Sequence, residues 1–212
     1  MPLARTITVV GRGSVMVEPD MARVNLGVQT TGTTVRQAIN EAARTMQDVI
    51  DALREQDIED RDIQLASYNV WVDTGFGPEP MPAQEMTATT YRVNIDVRVT
   101  VRDLGNLGTV LEAAIDAGAN AIYGVNFAIA EPEELEAEAR EMAAENARDR
   151  AEALAELHDV EVGPVVSISE VITGGIMPTA LDRMGLGDAA MGPIMPGELE
   201  MSIQIQVVYA LQ

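Results

Sequence analysis

The sequence predicts an α+β protein: a mixed, largely antiparallel sheet or sheets, with helices packed on one face and a split βαβ core. Three observations carry this. Tyr91, Val93, Ile95, Val97, Val99 and Val101 alternate with Arg92, Asn94, Asp96, Arg98 and Arg102, which is the two-residue period of a strand with one buried and one wet face. Val35, Ile39, Ala42, Met46, Val49 and Leu53 recur at steps of three and four, which places one apolar stripe on a helix. The predicted elements run β-β-α-β-β-α-β-α-β-β, and the central β-α-β-β-α-β run is the pattern of a split βαβ unit.

Element by element, β-branched residues around Gly11-Arg12-Gly13 predict a strand from Thr6 to Val17. Glu18-Pro19-Asp20 reads as a turn, with the Asp20 side chain bonding nearby amides. Alternation then resumes at Ala22, Val24, Leu26 and Val28, and a hairpin between these two strands is expected. Thr31–Thr34 cap a helix over 34–56, on the order of 33 Å long at ~1.5 Å per residue, enough to cross a sheet. A strand at Ile63–Val72 holds the single tryptophan, Trp71, and residues 74–86 form a Gly- and Pro-punctuated loop.

After the alternating strand, Asp103 caps a helix that runs to Ala117 and ends at Gly118. A strand at Ile122–Ile129 follows. Pro132 with Glu131, Glu133 and Glu134 starts an alanine-rich helix that reaches about His158, with acids at its positive end. Strands near Val165–Ile172 and Glu200–Tyr209 close the chain. Between them, residues 173–199 form a Gly-, Pro- and Met-rich loop, long enough to mark function or an interface. The whole reads as one domain over 1–212, with 173–199 as an insertion.

Composition narrows the chemistry. The 212 residues carry 34 Asp and Glu against 14 basic residues, all Arg, for a formal net charge of -20. Such a charge repels phosphate backbones and anionic lipid, so no nucleic-acid partner is expected. Cysteine is absent, which excludes disulfides, thiolate catalysis and Cys metal sites. The lack of lysine excludes Schiff-base and Walker-type mechanisms. No apolar stretch approaches the ~18 residues of a spanning helix, and the N-terminus leads into a strand without a signal-peptide core.

The segments Ile7–Gly13, Val17-Glu18-Pro19-Asp20-Met21-Ala22-Arg23-Val24, Ala52-Leu53, Ile58…Asp62-Ile63-Gln64, Ser67-Tyr68, Val99–Leu104, Leu107-Gly108, Ala117–Asn120 and Ala139-Arg140 resemble the SIMPL-domain family, or periplasmic immunogenic proteins. The likeness covers nearly the whole chain. It implies a periplasmic or cell-surface setting, with the cytoplasm as the alternative because no leader is seen. It further implies ring- or channel-like homo-oligomers and a link to oxidative-stress tolerance, and it supplies no catalytic residues to carry over.

The remaining candidates are weighed against simpler roles. Gly11-Arg12-Gly13 is followed by a strand rather than a helix, so it reads as a bulge or close backbone approach and not a phosphate loop. His158, the single histidine, sits where a helix dipole favours its cation and has no nucleophile partner in a recognisable motif. The carboxylates at 131–161 read as a solvated face, with Glu136–Arg140 and Arg148–Glu152 paired four apart. Met177, Met184, Met191 and Met195 are soft-metal candidates, since thioethers select Cu(I) and scavenge oxidants. The same loop supplies interface candidates: Met177, Pro178, Met184, Met191, Ile194, Met195 and Pro196.

The sequence therefore predicts a non-enzymatic, self-assembling cell-envelope protein without cofactor, catalytic residue or identified small-molecule substrate. A Cu-binding or redox-buffering protein is the alternative, and a carboxylate-based hydrolase the second alternative.

Overall fold

The computed structural model describes residues 5–73, 89–171, 176–178 and 196–212. The expected loop at 74–86 lies outside them. The chain forms two compact units, Asp20–Ala128 and Met1–Pro19 with Ile129–Gln212.

Asp20–Ala128 carries β2 (Met21–Gly32), α1 (Val35–Glu55), β3 (Ile63–Asp73), β4 (Thr90–Val101), α2 (Leu107–Asp116) and β5 (Ala121–Ala128). The sheet order is β3-β4-β2-β5, with every neighbouring pair antiparallel. Inserting β4 between β2 and β3 is the split βαβ arrangement that the element order predicts. Thr34 caps α1, its hydroxyl accepting from the Gln37 amide at 3.2 Å. Ala38, Ala42, Met46, Val49 and Leu53 of α1 are buried against Val24, Leu26 and Val28 of β2 and Val93, Val97 and Val99 of β4. Helix α1 packs on β2 and β4 and does not blanket edge strand β3.

Three segments that carry the family likeness have visible duties here. Arg102, after β4, grips Asp62, before β3, with Nε to Oδ2 at 3.0 Å and Nη2 to Oδ1 at 2.8 Å. Gly118 ends α2 at φ 112°, and Asn120 then docks edgewise on β2. Its Nδ2 donates to the Gln29 carbonyl at 2.7 Å and its Oδ1 accepts from the Gln29 amide at 2.8 Å. The two ends of the unit are joined, the Asp20 amide donating to the Ala128 carbonyl at 3.2 Å.

The other unit carries β1 (Thr6–Val17), α3 (Glu133–Glu156), β6 (Val162–Val171), the short β7 (Ile176–Pro178) and β8 (Leu199–Leu211). Strand β8 lies between β1 and β6, and β7 pairs with its first residues. Residues 176–178, expected as loop, are thus strand. The expected β1–β2 hairpin does not form: β1 pairs along its whole length with β8, from Thr6↔Ala210 to Val17↔Leu199, and β2 belongs to the other sheet.

The reason lies in α3. Ala139, Ala143, Ala147, Ala151 and Ala155 recur every fourth residue and are buried, a smooth stripe without side-chain relief. Gly11 and Gly13 of β1 face this stripe. A Cβ at Gly11 would overlap the Ala143 carbonyl oxygen, and one at Gly13 the Ala139 carbonyl oxygen. The close backbone approach read from Gly11-Arg12-Gly13 is therefore helix against strand.

Candidate functional site

In the Asp20–Ala128 sheet the face opposite α1 is open, and a polar cluster crosses its four strands. Strand alternation places Asn94, Asp96 and Arg98 of β4 on this face, with Asn25 of β2 and, by register, Ser67 and Asn69 of β3. This is the face expected to be wet, yet Asn94 is only 6% exposed. Its Nδ2 donates to Asp96 Oδ2 at 2.7 Å, and the Ser67 hydroxyl donates to the same oxygen at 2.5 Å. Asn69 in turn donates to Ser67 at 3.1 Å. On the far side, the Tyr123 hydroxyl of β5 lies 3.4 Å from Asn94 Oδ1.

Tyr123 reaches across β2 because the residue between is glycine. Gly27 pairs with Asp96 on one side and Ala121 on the other. A Cβ there would come within 2.5 Å of Asp96 Oδ1 and 2.9 Å of Tyr123 Cε2. Two ladder irregularities flank the cluster. The β3–β4 register shifts at Leu65/Ser67, bringing Ala66 to the rim. The β2–β5 register shifts between Val24 and Leu26, opposite Tyr123 and Gly124, whose φ is 98°. Bulges re-aim side chains in this way beside functional sites.

The result is a pocket of about 180 Å³ lined by Asn25, Ala66, Asp96, Arg98 and Tyr123. Both donors to Asp96 converge on Oδ2, while Oδ1 is buried and has no hydrogen-bond partner among the described residues. Arg98 gives one long bond, Nε to Asn25 Oδ1 at 3.4 Å, and makes no ion pair among the described residues.

Of the residues singled out in the sequence, none of the described ones lines this pocket. Met177 and Pro178 are in β7, opposite Glu200 and Leu199, and Pro196 is half-buried before β8. Met184, Met191, Ile194 and Met195 lie outside the described residues. His158 is exposed just past α3. The α3 carboxylates face solvent as expected, with Glu136–Arg140 at 3.9 Å and Arg148–Glu152 at 2.9 Å. Arg140 also forks onto Glu170 of β6, whose hydrogen bonds and charge hold its guanidinium above the usual arginine range. Among the described residues no group of three or more His, Asp or Glu side chains is placed to hold a metal, and no helix is long and apolar enough to cross a membrane.

Each sheet also leaves apolar side chains open at an edge. On β3, Leu65 is 66% and Val72 57% exposed, with Tyr68 and Val70 between them. By register these four share the face that α1 covers on β2 and β4. On β6, Ile168 is 64% exposed, beside Val165 and Val166.

The sequence is similar to several known proteins. The 26 kDa periplasmic immunogenic protein of Brucella melitensis biotype 1 is 32% identical over 211 residues, covering 97% of this chain and 84% of that protein. The uncharacterized protein YggE of Escherichia coli K12 is 27% identical over 218 residues, covering 100% of this chain and 85% of its own length. YggE of Edwardsiella ictaluri is 30% identical over 158 residues, or 74% of this chain and 64% of that protein. Residues 7–209 match the family described as SIMPL, protein of unknown function (DUF541), and the chain belongs to that family.

Proposed function

We propose that the protein is a non-enzymatic, self-assembling component of the cell envelope, built as a homo-oligomer through its exposed sheet edges. The supporting observation is that, among the described residues, no strand pairs the outer ladder edges of β3 and β6 and both strands carry exposed apolar side chains. An edge strand offers unpaired amide and carbonyl groups to another chain, and natural proteins normally blunt such edges with charge or cover. Here Leu65, Tyr68, Val70 and Val72 leave the β3 edge apolar in a protein of net charge -20. A second copy is the occupant that satisfies both the ladder and the apolar strip. The periplasmic setting rests on the name of the Brucella relative, a periplasmic immunogenic protein.

Light scattering of the purified chain at micromolar concentration tests this. Assembly is expected, and Tyr68→Glu with Val72→Lys, or Val165→Glu with Ile168→Lys, is expected to shift it toward monomer. A wild-type protein that is monomeric throughout overturns the reading.

A further inference from the structure

We propose that the open face of the Asp20–Ala128 sheet binds an acidic polysaccharide, with arginines on its carboxylates, amides on its hydroxyls and an aromatic ring at either side. The inference begins with where charge falls. The chain has 34 acids against 14 basic residues, yet this face reverses the balance. Strand alternation and register bring Arg23 of β2 together with Arg92 and Arg98 of β4, all three exposed. Asp96, the acid among them, has Oδ1 buried and Oδ2 taken by Ser67 and Asn94. Arg23 and Arg98 make no ion pair among the described residues. Charges elsewhere on the molecule are screened beyond about 8 Å at physiological salt, so the local excess governs contact.

The side chains between the arginines select the kind of anion. Asn25, Gln29, Gln64, Asn69 and Asn126 share the face, so its floor offers hydrogen-bond donors and acceptors side by side, as a run of sugar hydroxyls requires. A guanidinium fork suits the carboxylate of a uronic acid. Trp71 of β3 pairs in register with Arg92 and is 48% exposed, and Tyr123 of β5 is 54% exposed. These rings stand on the two edge strands, three strand spacings or about 14 Å apart across the sheet. That is too wide for successive bases of a nucleic acid to stack on both. A pyranose chain laid across the strands places the C–H face of one unit on each ring. An acidic peptide lacks such ring faces and recognises a sheet by adding a strand at its edge, not on a face whose ladders are complete.

The face is also held in advance of binding. Hydrogen bonds join Asn69, Ser67, Asp96 and Asn94 across β3 and β4, and the recess of about 180 Å³ lined in part by Asn25, Arg98 and Tyr123 seats one ring substituent. Such preorganisation reduces the ordering cost of a weak ligand. The apolar strip of Leu65, Tyr68, Val70 and Val72 lies on the other side of the sheet, so glycan binding and self-assembly are separable.

Titration of the full chain with hexamers of galacturonic and mannuronic acid, read by calorimetry and by Trp71 fluorescence, tests the proposal. Their methyl esters keep ring and hydroxyls without the charge. A glutamate hexamer keeps the charge without the sugar, and a uridine hexamer supplies bases and phosphate. Saturable binding of a uronic acid hexamer is expected, with every control at least about tenfold weaker. Arg23→Gln with Arg98→Gln alters two exposed side chains and is expected to weaken binding about tenfold at an unchanged thermal midpoint. Trp71→Ala is expected to weaken acid and ester alike. Arg36→Gln with Arg44→Gln removes the same charge from exposed positions of α1 and is expected to leave affinity at wild type. Absence of saturable binding at millimolar concentration overturns the proposal, as does equal affinity in wild type and in Arg23→Gln with Arg98→Gln. Equal or tighter binding of any control overturns it too, and reassigns the face to a neutral glycan, a peptide or single-stranded nucleic acid.

Discussion

Gly13 of β1 lies against the main-chain carbonyl of Ala139 on α3, so closely that no larger residue fits between strand and helix. Because the obstructing atom is backbone, it cannot swing aside as a side chain would. Gly13→Ala and Gly11→Ala are therefore expected to destabilise by more than about 3 kcal/mol, beyond the usual range for overpacking. Gly108→Ala is the control: a Cβ there meets nothing within 4 Å, and in helix α2 it should stabilise by about 0.5–1 kcal/mol. Urea unfolding measures all three.

The Arg102–Asp62 fork leads to a second expectation. Asp62 is 8% exposed, and its hydrogen bonds, then its charge, hold Arg102 above the usual arginine range. A raised cation pKa stabilises fully below the unfolded value and loses that stabilisation only as pH rises through the folded one. Titration of Arg102 should thus leave stability level from about pH 6 to about pH 10. Asp62→Ala should lower the thermal midpoint more than Glu152→Ala, which breaks an exposed pair. Arg102→Lys should not restore wild-type stability, because an ammonium cannot rebuild the two-point fork.

Trp71 reports on the β3 edge. It is the sole tryptophan and is 48% exposed. If copies associate along β3, acrylamide quenching of its fluorescence should weaken as concentration rises through the assembly range. In Tyr68→Glu with Val72→Lys, quenching should stay high at every concentration.

Methionine oxidation should follow burial. Met16 and Met142 are 55% and 43% exposed, whereas Met21, Met46 and Met201 are 5% or less. Brief peroxide treatment read by peptide mass mapping should convert the first pair to sulfoxide well before the other three. Early oxidation of Met46 would mean that the α1 core opens readily.

What the sequence made legible was local. The α1 stripe, the Thr34 cap, the Gly118 stop and the Glu136–Arg140 spacing are each set by residues within a few positions of one another, whereas Asp103 caps a short 3-10 turn, Leu104–Asn106, and α2 begins only after it at Leu107. The partner of β1 was not legible, because the lock between Gly11, Gly13 and the alanine stripe joins segments more than a hundred residues apart. The Asp96 pocket was hidden for a similar reason. Asn94, Asp96 and Arg98 fit the polar half of an alternating strand, and only Gly27 and Tyr123, arriving from two other strands, turn that half into a recess. A glycine in the middle of the strand run Leu26-Gly27-Val28 was the available signal.

The hydrogen bond between Asp20 and Ala128 bears on how the chain finds its fold. Strands β1 and β8 stand at opposite ends of the sequence, and their meeting closes a loop through almost the entire polypeptide. Once Asp20–Ala128 has folded, its joined ends make that whole stretch count as a single short link. The entropy saved is modest, under about 1 kcal/mol, because loop cost grows only logarithmically with length. The benefit is order of assembly: the inner piece can form from its own neighbours, and the outer ladder then zips from Val17↔Leu199 toward Thr6↔Ala210. A core lesion such as Leu26→Ala should therefore slow the recovery of β1–β8 amide protection on refolding, although it touches neither strand.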